Sequence, residues 1–247
     1  MPYDLTRFDL DTANRCSAGL RTKVTESSTL EMSARAVARH LHDELVDAEG
    51  ARATVLVRCY KTHPFMDLPD DLQRVARRAL GAVAFSPPDP AMKCLVLLAT
   101  AGEEASWNDR RNSRGHQAIP LPSPHVVEQA PMIAQLIEDL GFDVAQVVRG
   151  HNTAVRAGGA NTFGIFHVEK AEGSPYIPAQ RDFVIPYRVQ SVLGFGGALA
   201  TGEIFATIIF SRAAIPIGSG ERFRTIAASL VSSLAALTAA TFDANSH

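Results

Sequence analysis

Apolar residues recur along this chain in helical and strand rhythms, broken by Gly, Pro and polar punctuation. Residues 1–24 carry Leu5, Phe8 and Leu10 and read as a short helix or arm followed by irregular chain. Ser28 with Glu31 then has the spacing of a capping box, and Leu30, Ala34, Val37, Leu41 and Leu45 share one helical face until Gly50 stops it. Residues 53–60 predict the first strand. Its run Val55-Leu56-Val57 is apolar on both faces, the mark of a central buried strand, and Lys61-Thr62-His63-Pro64 ends it. A second helix opens at Pro69-Asp70-Asp71, with Leu72, Val75, Ala76, Ala79 and Leu80 inward. After a Pro-rich loop at 85–90, residues 94–99 predict another apolar strand.

Residues 101–124 are polar and lack a period, and loops of this length in compact domains are usually functional or disordered. Residues 125–140 read as a helix split at Pro131, with Val126, Val127, Ala130, Ile133, Leu136, Ile137 and Leu140 inward and Gly141 as its cap. Residues 144–148 suit a short strand or a helical extension. Residues 150–161 are Gly-rich, and 163–168 predict a third strand. A loop over 172–188 contains Pro175 and Pro178 and a short helix or turn at 179–183.

The chain closes on strand, turn, strand and long helix. Residues 191–195 open the first strand, Gly196-Gly197 loosens its far end, Thr201-Gly202 turns, and residues 204–210 form a β-branched and aromatic strand. Pro216 and Gly218 break the chain, and Ser219 is placed to cap a helix starting near Glu221. The stretch from Thr225 to Phe242 has no charge and is long enough to raise the question of a membrane span, but six of its 18 residues are Ser or Thr. Phe223, Ala227, Leu230, Leu234 and Leu237 make a packing seam instead.

This order, and the phrases RTKVTESSTLEMSA, YKTHPF, MKCLVLLATAGEEASWN, GHQAIPLPS and QSVLGFGG, resemble a GAF-like sensory segment associated with bacterial histidine kinases and related signalling proteins. The resemblance covers roughly residues 25–237. It implies an α/β fold of α+β sandwich type: a central antiparallel sheet, the N- and C-terminal helices packed on one face, and a ligand pocket on the other. It divides the chain into an N-terminal arm (1–24), a single GAF-like domain (25–242) and a tail (243–247). It implies sensing and assigns no ligand. No kinase or cyclase sequence follows residue 242, so the effector is expected to be absent, cut away or supplied by another protein.

Composition agrees with a globular core: 46% of residues are hydrophobic and 20% charged. A net charge of −2 gives no electrostatic reason to expect nucleic acid or an acidic membrane surface. The N-terminal MPYDLTRFDLD has no apolar core of a secretory signal, and Cys16, Cys59 and Cys94 lack the spacing of a disulfide framework or zinc site. A reduced, cytoplasmic setting is expected.

Two irregular segments carry the candidate ligand chemistry. Trp107, Asn108, Arg110, Arg111, Arg114 and His116 lie in the long polar loop, where the single Trp can close over a ligand while Arg and His bind its polar groups. Tyr176, Phe183 and Tyr187 bring aromatic surface from the second segment, with Arg181 and Asp182 adding charge. Lys61 and His63 share one side at the end of the first strand and are candidates for the pocket mouth. No catalytic residue or metal ligand is assigned, and the spacing leaves haem, flavin or metal undetermined.

The expected function is a small-molecule sensor that relays binding to an effector through a dimeric helix bundle. The homodimer would form through the helix from Thr225 to Phe242 and that from Ser28 to Glu49. Two alternatives stand beside it: a redox enzyme on the same fold using Cys94 or Cys59, and a ligand-free dimerisation or docking scaffold.

Overall fold

The computed structural model describes residues 2–81, 89–149, 163–237 and 240–243. A short strand β1 (Tyr3–Asp4) leads to helices α1 (Leu10–Thr25) and α2 (Leu30–Glu44), then β2 (Leu45–Val46), which pairs with β1. β3 (Thr54–Pro64), α3 (Asp70–Gly81), β4 (Lys93–Gly102) and β5 (Ala118–Leu121) follow. Three short helices come next: α4 (Pro124–Glu128), α5 (Pro131–Asp139) and α6 (Val144–Val148). β6 (Phe163–Val168), β7 (Ser191–Ala198), β8 (Ile204–Ser211) and α7 (Ile217–Leu234) complete the order. The main sheet has six strands in the order β5-β4-β3-β8-β7-β6, every neighbouring pair antiparallel. This is the expected α+β class.

The central strands are apolar on both faces because both faces are covered. On one face Val57, Cys59, Val96, Leu98, Phe205 and Ile209 pack beneath α1, α2 and α7. On the other, Leu56, Tyr60, Leu95, Leu97, Ile208 and Phe210 meet residues from α4, α5, α6 and the 171–189 segment.

Several expectations shift. Residues 10–25 form a helix rather than irregular chain. Thr12 N–H donates to Asp9 Oδ1 at 2.8 Å as its cap, and Cys16, Leu20 and Val24 enter the core. The cap of α2 is Thr29, whose Oγ1 accepts from Met32 N–H at 3.1 Å; Ser28 takes no part in it, and Glu31 turns inward. The polar end Lys61–Pro64 continues β3, because it pairs with residues 93–96 of β4. Helix α7 begins at Ile217, so Ser219 lies inside it, and its hydroxyl accepts from Phe8 N–H at 3.3 Å. Gly196 and Gly197 stay in register with Ala206 and Phe205. A Cβ at Gly196 would stand 2.0 Å from the Phe205 carbonyl oxygen, so the glycine permits close strand approach rather than loosening the strand.

Pro131 splits the helical stretch as expected, and residues 144–148 are helical. The Gly-rich stretch 150–161 lies outside the described residues. No described helix is long and apolar enough to cross a membrane. In the α7 seam, Phe223, Ala227, Leu230 and Leu234 are all buried within the chain, with Phe223 stacked on Phe8 at 4.6 Å between ring centroids. The stripe that motivates a homodimer is thus occupied by α1 and the sheet of the same chain.

Candidate ligand-binding site

A cavity of about 560 Å³ opens on the sheet face opposite α1, α2 and α7. Its floor is laid by alternate residues of three adjacent strands: Leu56, Arg58 and Tyr60 of β3, Leu95 of β4, and Ile208 and Phe210 of β8. One wall is the start of α5, from Ala130 through Met132, Ile133 and Leu136. That wall exists because Pro131 ends α4's path and restarts the helix at its own first position. Gly164 lets α5 approach the sheet: a Cβ there would lie 2.2 Å from the Asp139 carbonyl oxygen.

Trp107, Gly115 and His116 of the long loop and Pro178, Asp182 and Phe183 of the second segment close the remaining sides. The two irregular segments therefore meet. Trp107 packs on Phe183 at 5.6 Å and on Tyr187 at 4.7 Å, and Phe183 sets its edge to Phe210 at 5.1 Å. Tyr187 donates its hydroxyl hydrogen to Glu104 at 3.1 Å, and Arg212 reaches both Glu103 and the Tyr187 carbonyl, strapping the segments together.

Of the residues expected from sequence, Trp107, His116 and Phe183 line this cavity. Tyr187 supports it from behind, and Tyr176 packs on Phe166 at 6.2 Å instead. Asn108 closes its own loop, accepting from Gly102 N–H at 3.1 Å and donating to the Gly102 and Glu104 carbonyls at 2.9 Å each. Arg111 is exposed and paired with Asp109, and exposed Arg114 lends its carbonyl to His116. Lys61 and His63 do share a side, but they lie 2.7 Å from each other outside the cavity lining. Lys61 and Lys93 face Glu203 at 3.9 and 3.6 Å, and Phe242 packs edge-on to His63. Burial lowers the Lys61 pKa to about 8 and, with the Lys61 charge, that of His63 to about 4.

Arg58 and Tyr60 are the cavity residues that the sequence reading passes over. A charged residue inside an apolar central strand is the signal that points to them. The Arg58 Nε is buried and has no hydrogen-bond partner. Burial raises the Tyr60 pKa, opposed by the Arg58 charge beside it. Partial burial first, then Arg58, lowers that of His116.

The long loop is also tied to the other face of the sheet. Arg110 is buried and donates from Nε to Glu31 Oε1 at 2.7 Å, while Glu31 Oε2 accepts from Asp243 N–H at 3.1 Å. The carbonyls of Ala240 and Thr241 accept from the N–H groups of Leu30 and Glu31, both at 2.9 Å, filling two of α2's open first-turn donors. A second concavity of about 670 Å³ borders this network, and its Arg35, Arg110 and Arg111 are matched by Glu31, Asp109 and Asp243.

All three cysteines are buried, and burial pushes each thiol up to about 12. That disfavours the thiolate a redox nucleophile needs. Among the described residues no group of three His, Cys, Asp or Glu side chains is placed to hold a metal ion. No protein-family model matches the chain, and no curated protein matches it.

Proposed function

We propose that this chain is a GAF-like, cytoplasmic sensory domain that binds a small molecule in the sheet-face cavity and passes the event to an effector. The observation that carries this reading is the cavity itself. It combines a volume of about 560 Å³, a mainly apolar lining and a few polar groups, which is the usual design of a small-molecule site.

A route for the signal accompanies it. The loop that supplies Trp107 and His116 also supplies Arg110, which holds Glu31 of α2, which holds the backbone of Asp243. A ligand that favours one placement of this loop would bias the α2 start and the chain's last described residues together. A dimer, if it transmits the signal, would use surfaces other than the buried α7 seam.

Native mass spectrometry of the purified protein, with thermal shifts across a metabolite panel, tests the reading. A co-purifying small molecule, or a panel compound that raises Tm and perturbs Trp107 emission, is expected. A panel with no binder and a protein that carries nothing would favour the scaffold reading.

A further inference from the structure

We infer that the cavity takes a monocarboxylate with an aromatic or aliphatic body, its carboxylate held by Arg58. The inference rests on the ligand-binding reading of this cavity and names the chemical class of the ligand.

Arg58 sits at the centre of the sheet, opposite Thr100 of β4 and Ile208 of β8. Arg58 is partly buried, and the cavity floor around it is apolar, with Leu56, Leu95, Ile208 and Phe210, apart from the Tyr60 hydroxyl beside the guanidinium. A guanidinium in such surroundings needs an anionic or hydrogen-bonding partner to offset its lost hydration. The chain supplies such partners elsewhere. Buried Arg110 has Glu31, and half-exposed Arg212 has Glu103. Among the described residues no carboxylate lies within ion-pair distance of Arg58. Asp182, the one acidic residue among the described residues of the lining, is exposed. The buried Nε has no partner at all.

The second wall points the same way. Helix α5 presents its N-terminal end to the cavity, through Ala130, Pro131 and Met132, and has no side-chain cap. Pro131 carries no N–H and the Ile133 N–H donates to the Ala130 carbonyl at 2.9 Å, so the positive helix end and the single Met132 N–H are what favour an anion here. Among the described residues Arg58 is the only Lys or Arg in the lining, which suits one negative charge better than a phosphate dianion. An Arg fork matches a carboxylate geometrically. The rest of the lining, with Trp107, Phe183, Met132 and Ile133, fits an apolar body.

The single Trp lines the cavity, so its fluorescence reports occupancy directly. The test titrates the full chain with phenylacetate, 4-phenylbutanoate and octanoate, each beside its uncharged amide. At least one acid is expected to bind about tenfold or more tighter than its amide, the scale of a charge-assisted hydrogen bond. Arg58→Met should remove that preference while the amide still binds, and Arg58→Lys should keep part of it. Equal binding of acid and amide to the wild type overturns the carboxylate assignment and leaves the pocket reading standing. An acid preference that survives Arg58→Met overturns Arg58 as its source. No binding by any member of the three pairs overturns the carboxylate assignment alone, because the pocket reading is decided separately by the metabolite panel and native mass spectrometry. The wild-type comparison stands even if a variant fails to fold.

Discussion

One face of the main sheet is covered by three long helices, the other by short helices and irregular chain. On the first, α2 lies over β3 and β4 and α7 over β6 and β7, α1 packs against both helices, and their buried Leu, Val, Ala and Phe side chains fill the space. On the second, the covering pieces are too short and too angular to fill it, and a cavity of about 560 Å³ remains. The central strands themselves are largely apolar on both sides. The difference lies in the cover: regular helices interdigitate with a sheet at close-packed density, whereas a proline break and two aromatic loops leave room. The first face holds the fold, and the second keeps a space whose walls are stiffened by aromatic contacts.

The most forceful way to break this comparison is to truncate equivalent apolar groups on the two faces. Phe223→Ala removes a fully buried ring stacked on Phe8 and tilted against Phe195. It should cost about 3–5 kcal/mol in urea unfolding, the usual range for a core Phe. Met132→Ala, at the half-buried cavity wall, should cost about 1 kcal/mol or less, because its side chain already borders open space. Equal losses would mean that the cavity face is as tightly packed as the other.

A loss of about 3 kcal/mol is expected for Glu31→Ala, since it strands the buried Arg110 charge. The same variant should speed hydrogen exchange at Leu30 and Glu31 N–H groups, which depend on residues 240 and 241. Unchanged exchange there would separate the loop from the chain end and remove the proposed signal route.

Acidification probes the helical face more gently. His42 is buried beside Thr54, whose hydroxyl donates to the His42 carbonyl at 2.8 Å and lies 3.0 Å from Nδ1. Burial first, then Arg52, lowers its pKa from 6.5 to about 4. The unfolded chain therefore takes up this proton before the folded one does. Stability from neutral His42 is complete above the ordinary value of 6.5 and drains away as pH falls towards about 4. Its share of the loss from pH 7 to pH 5 is about 1–2 kcal/mol by proton linkage. Urea midpoints at both pH values, repeated in His42→Gln, check it: the variant should lose less between them.

The legibility of the two faces in the sequence differs for a physical reason. Strands β3 and β8 are readable from β-branched runs, the split before α5 from Pro131, and the meeting of Trp107 with Phe183 from the expectation that irregular aromatic loops face a pocket. Helix α1 is hidden because its buried positions Cys16, Leu20 and Val24 are sparse among polar neighbours. The α7 seam is readable as a seam, but helical period does not say whether the neighbour belongs to the same chain. Here it does. Thr29 and Ser28 are adjacent hydroxyls, and only the chain path decides which one caps α2. Arg58 is obscured because the runs around it mark a buried strand, and a period of two does not tell which side has an empty space above it.

The smallest expected effect separates the two faces most sharply, because its sign should differ. Arg110 and Arg58 are both arginines set against the sheet, one on each side. If both were structural, removing either charge would be costly. Arg58, however, keeps a buried Nε without a partner in an apolar floor, and such a group lowers stability rather than raising it. Arg58→Met replaces it with a side chain suited to the same surroundings. Unfolding of the ligand-free protein by urea should show a change between zero and about 1 kcal/mol of stabilisation. A destabilisation of about 2 kcal/mol or more would place Arg58 with Arg110 as a structural ion, and the cavity face would then be a second core with a gap in it. A neutral or positive change, set against lost carboxylate binding in the same variant, would mark Arg58 as a residue kept at a cost to the fold for what it holds.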